Sequence, residues 1–72
     1  MILRGRVVEF SEHVGLGVIE STAPLSTRYP FHCIDIADGT RTIELGKPVL
    51  FDVATGVGGS LIACDIQKLT SH

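Results

Sequence analysis

The chain has 72 residues, 44% of them hydrophobic, with six basic and eight acidic side chains for a net charge of −2. That length admits one domain, spanning residues 1–72, and no catalytic cleft between lobes. No apolar run reaches the roughly 20 residues of a membrane span and no secretory signal is evident, so a soluble, cytoplasmic protein without membrane contact is expected, and its near-neutral charge leaves only local basic patches for a polyanion.

Short β-branched runs with period-two alternation, bounded by glycine, predict an all-β domain. The first strand is expected over residues 2–11 (ILRGRVVEFS), with Gly5 at a bend or a close approach. The second covers residues 16–21 (LGVIES). A polar loop turned by Pro24 leads to the third, residues 27–33 (TRYPFHC), in which Pro30 has no N–H for a ladder and so belongs on an edge or at a bulge. The connection IDIADGTRTIELG holds an Asp38-Gly39 turn, a stop at Gly46 and no more than one helical turn. The fourth strand, residues 47–55, points Val49, Phe51 and Val53 inward, and the glycine-rich turn at 56–59 opens the fifth, residues 60–69. Such an order predicts a small five-stranded Greek-key OB-fold barrel, whose closure would hide most strand edges.

The pattern Gly5-x-Val7-x-x-Phe10, Gly15-x-Gly17-x-Ile19, His32, Gly46-x-x-Val49-x-Phe51-x-Val53 and Ala63-x-Asp65-Ile66 resembles a cold-shock domain over almost the whole chain. The resemblance implies an OB-fold that binds single-stranded RNA or DNA on an aromatic sheet face. In that family the first motif is like KGFGFI and the second like VFVHF. Here they read Val14-Gly15-Leu16-Gly17-Val18-Ile19 and Tyr29-Pro30-Phe31-His32-Cys33, so the lysine and both phenylalanines of the first are replaced. The family's lysine-tryptophan pair on the first strand is matched by Val8 and Glu9, and a loop aromatic by Thr40. His32 is the one ring retained on the matched face, and Glu9 brings a negative charge to it.

Stacking on an aromatic ring is worth ~1–3 kcal/mol per base, whereas a micromolar complex amounts to about −8 kcal/mol. Losing several rings removes most of that, so binding is expected to be weak and mainly electrostatic. The resemblance thus assigns nucleic-acid contacts to His32, Phe10, Arg6, Arg28, Arg41, Leu16 and Val18, with Arg4 and Lys47 as flanking cations. Strand alternation turns Tyr29 and Phe31 into the interior with Val7, Ile19 and Val53.

A rival reading follows from the same face. Val8, Val14, Leu16, Val18, Pro30 and Cys33 are expected to surround His32 as an aliphatic patch, suited to self-association or to another protein. His13 is expected in a solvated turn and His72 at a frayed end.

Catalysis finds little to work with. Cys33 and Cys64 lie in apolar sequence without CxxC spacing, which points to reduced thiols and leaves a disulfide open. A metal site from His32, Cys33 and Cys64 lacks a fourth ligand, and on a regular strand His32 and Cys33 point to opposite faces, which also disfavours a nucleophilic pair. The glycines at 56–59 lack the lysine and helix of a phosphate-binding loop. No enzyme, metal or cofactor is expected.

Overall fold

The computed structural model describes residues 2–22 and 26–69; the expectations for Pro24 and His72 lie outside these. Five antiparallel strands, β1 (Ile2–Ser11), β2 (Leu16–Ser21), β3 (Arg28–His32), β4 (Pro48–Thr55) and β5 (Leu61–Lys68), form one sheet in the order β3-β2-β1-β4-β5. Short 3₁₀ turns at Cys33–Asp35 and Val57–Gly59 are the only helical segments among the described residues. Neither is long or apolar enough to cross a membrane.

The strands alternate as half-buried strands should, and their buried side chains share one concave face. Val7, Ile19, Phe31, Val49, Phe51, Ala63 and Ile66 form the core with Ile36 and Ile43 from the long connection. Tyr29 leans on Phe51 with ring centroids 5.6 Å apart, so both β3 aromatics turn inward as alternation predicts. Val49 and Phe51 are fully buried, and Val53 packs beside them.

The sheet curls tightly because two strand positions carry no side chain on the inner face. A Cβ on Gly5 would stand 2.5 Å from the Glu20 carbonyl oxygen of β2. At Gly17 a Cβ would stand 2.5 Å from the Phe31 ring and 2.7 Å from the Glu9 carbonyl oxygen. The Phe31 ring therefore rests directly on β2 backbone.

Two bulges re-aim the strands. In β1 the register against β2 shifts between Val7 and Glu9, so Val8 and Glu9 together oppose Val18. That extra residue lets both Val7 and Phe10, three apart, face inward. In β5 the register against β4 shifts between Leu50 and Asp52, and Asp65 takes up the extra residue with a left-handed φ of 47°. An aspartate tolerates that backbone better than a branched residue would.

The number and order of strands predict a closed barrel, but the sheet is open between β3 and β5. The two edges approach, with Ile62 of β5 beside Pro30 and His32 of β3, yet no ladder joins them. The reason lies in β3. Ser21 donates to Thr27 O and Cys33 to Gly15 O, at 2.8 and 2.7 Å, which fixes the odd residues of β3 as those bonded to β2. The amides of residues 28, 30 and 32 then point to the seam. Pro30 has no donor there, and the His32 amide is taken by Asp35 Oδ2 at 3.3 Å. Only Arg28 is left to donate.

The first part of the connection after β3 is held against β5. Ala37 donates to Ile66 O at 2.8 Å, beside a parallel bridge between Ile36 and Ile66. Farther on, Lys68 Nζ reaches Asp38 at 3.1 Å and the Thr40 hydroxyl at 2.7 Å. The Asp38 carboxyl is held below its ordinary range by the Thr40 amide first, then by the Thr40 hydroxyl and Lys68.

Two outcomes follow for stability and association. Gly17→Ala should destabilise the fold by ~1–3 kcal/mol in chemical denaturation, because the Glu9 carbonyl cannot retreat as a side-chain end can. Pro30→Val restores a donor at the seam and should produce concentration-dependent association in sedimentation velocity beyond that of the unaltered chain. A variant that gains stability without associating would mean that the seam closes onto β5 instead.

Candidate functional site

The outward face of β1, β2 and β3 consists of three cross-strand rows. Ser11, Leu16 and His32 form the first, Glu9, Val18 and Pro30 the second, and Arg6, Glu20 and Arg28 the third. Successive rows lie two residues, or about 7 Å, apart along β2 and β3, while the bulge in β1 sets Arg6 three residues from Glu9. Leu16, Val18, Pro30 and His32 are thereby neighbours, as the sequence reading expects, with Arg6 and Arg28 one row away.

Leu16 is 53% exposed and Pro30 and His32 are exposed beside it, while Val18 is half-buried. An open groove of about 560 Å³ runs over Leu16, Val18 and Pro30 to Val8 and to Leu45 of the long connection. Leu45 is itself 66% exposed and forms a wall that the sequence reading does not anticipate.

The end of β3 orients His32. Its Nδ1 accepts the Ile34 amide at 3.3 Å, which caps the 3₁₀ turn at Cys33–Asp35. With that nitrogen engaged as an acceptor, the neutral ring carries its proton on Nε2 and keeps one donor for a ligand.

Three of the expected contacts are placed elsewhere. Phe10 faces inward because of the bulge, stacked on Phe31 with centroids 5.9 Å apart and planes 4° from parallel. Its ring supports the core and offers only part of its surface to the groove. Cys33, expected on the outer face, packs against the core and under Gly15, since β3 ends at His32 and the chain turns. The same turn brings Cys33 Sγ to 3.7 Å from His32 Nδ1, where a continuing strand would have set them on opposite faces. Arg41 sits in the long connection with a left-handed φ of 61° and forms no ion pair among the described residues. Val14 is exposed in the turn between β1 and β2, one residue before Gly15.

Cys33 and Cys64 are both free thiols. Burial pushes the Cys64 thiol up, and the charges of Asp65, Asp52 and Asp35 add to that, so it stays protonated at neutral pH. No three His, Cys, Asp or Glu side chains converge on a metal position among the described residues.

The arginines of the face are not free cations. Arg28 Nε donates to Glu20 Oε2 at 3.2 Å, and a second nitrogen lies 4.0 Å from Glu9. Arg6 approaches Glu20 from the opposite side at 3.9 Å. Glu20 thus stands between two guanidiniums, and the four side chains together carry no net charge. Strand parity together with the register places residues 6, 20 and 28 on one face, and the register is what the sequence does not supply. No protein-family model matches the chain, and no curated protein matches it.

Proposed function

We propose that the chain is a divergent OB-fold of the cold-shock type whose sheet stays open between β3 and β5, and that its outer face binds single-stranded nucleic acid weakly and mainly through phosphates. The observation that carries this reading is the meeting of His32, an apolar surface and two guanidiniums on one open sheet face. Strand order supports it. β1 to β3 form a meander and β4 returns through a long connection to lie beside β1, an order that a Greek key requires. The face formed by β2 and β3 is the one on which OB-folds bind oligonucleotides.

With one ring on the face, base stacking contributes little, and phosphate contacts from Arg6 and Arg28 have to supply most of the affinity. Fluorescence anisotropy of a labelled oligothymidylate at low and moderate salt tests the reading. Binding is expected in the high micromolar range at low salt, with the logarithm of affinity falling by about 0.7 per phosphate contacted for each tenfold rise in salt. Arg28→Ala should weaken binding several-fold and reduce that slope by ~0.7. No anisotropy change at low salt, even at high micromolar protein, refutes the proposal.

One observation favours a second reading, in which the face docks on protein. Leu16, Val18, Pro30 and Leu45 leave an aliphatic groove open to solvent, a surface with no aromatic preference for bases. On that reading the chain associates in sedimentation velocity, and Leu16→Asp returns it to a folded monomer with unchanged circular dichroism.

A further inference from the structure

Glu20 is the least exposed member of the charged row. Its side chain is 23% exposed, against 65% for Arg6 and 63% for Arg28. β2 fixes its position, with Arg6 directly opposite on one side and Arg28 on the other. Both guanidiniums lean on the same carboxylate, at 3.9 and 3.2 Å. Glu9 then adds a second negative charge next to Arg28, at 4.0 Å.

A phosphate reaching these arginines meets two obstacles. Arg28 already donates its Nε–H to the Glu20 carboxylate, and Arg6 is held beside the same carboxylate as an ion pair. That carboxylate, lying between them, also repels the incoming anion. We propose that Glu20 is the residue that sets the affinity of this face for nucleic acid, by occupying the two arginines that phosphate would otherwise use. The proposal rests on the nucleic-acid reading of the face and adds to it a built-in competitor. Exposed ion pairs are individually weak, so the competitor limits binding without abolishing it. Exchange of Glu20 for phosphate at Arg6 and Arg28 leaves both arginines paired, while the displaced carboxylate moves to solvent.

The test compares the unaltered chain with Glu20→Gln in the same oligothymidylate titration. Glutamine keeps the size of the side chain and removes its charge, and a thermal melt checks that the fold persists. Affinity at low salt is expected to rise about fivefold, the factor for removing one like charge a few ångströms from a phosphate in water. The gain should shrink as salt is added.

Glu44→Gln changes the net charge equally but lies on the long connection in a separate cleft with Lys47 and Lys68, and it should leave affinity within twofold. In the double variant Glu20→Gln, Arg28→Ala most of the gain should disappear, which a general charge effect would not produce. Unchanged affinity in Glu20→Gln, with measurable binding by the unaltered chain, overturns the role of Glu20 alone. A gain of the same size in Glu44→Gln overturns it too. Absence of binding by both the unaltered chain and Glu20→Gln overturns the nucleic-acid reading together with it.

Discussion

The ring of Phe31 occupies the volume in which a Cβ on Gly17 would stand, and the outward face depends on that contact. With the ring seated against β2 backbone and stacked with Phe10, β3 has one workable parity. Phe31 and Tyr29 point into the core, so Arg28, Pro30 and His32 must point out. A slip of one residue would drive Pro30 into the space above Gly17 and put two aromatic rings in water. The same contact therefore anchors the core and chooses the side chains of the site.

The open seam is a second consequence of what β3 carries. A closed barrel hides every edge, whereas here the edge of β3 is protected chemically: proline removes one donor and Asp35 takes another. Since the amide of His32 and its Nδ1 both serve the 3₁₀ turn at Cys33–Asp35, the residue that ends the strand also fixes the direction of the ring beside the groove. Edge protection and ring placement come from one local structure. Association through the edge of β3 is thus disfavoured.

Much of this was legible in the sequence because alternation within a strand is a local property. The bounds of β1 and β2, the inward turn of Tyr29 and Phe31 and the edge position of Pro30 all follow from period-two patterning and proline chemistry. What was not legible depends on partners distant in sequence. The bulge that turns Phe10 inward appears only when β1 is set against β2, since Val7-x-x-Phe10 breaks alternation without saying where. Cys33 leaves the outer face because the His32 amide donates to Asp35 and the His32 ring accepts from the Ile34 amide, a short polar motif that competes with one more strand residue. Ile36 and Ile43 enter the core from a segment that reads as loop, because the curl of the sheet leaves a gap that β-strand residues alone do not fill. Closure of the barrel was expected from strand count, and count carries no information about donors on one edge.

The charged row shows why composition is a poor guide to this site. A net charge of −2 says little about a face on which two arginines and two glutamates alternate. On the proposed reading, the features that separate this chain from the family it resembles act in the same direction. Leu16 and Val18 remove stacking, and Glu9 and Glu20 offset the cations, so both contributions to nucleic-acid affinity are lowered together. The presence of the two arginines is then informative. If the face had only to avoid polyanions, neutral residues opposite one another would suffice, with no charge to desolvate or order. On the proposed reading, arginines paired to a central carboxylate keep groups able to bind phosphate in place while limiting how readily they are used, which is the arrangement expected of a face tuned to weak, exchangeable contacts.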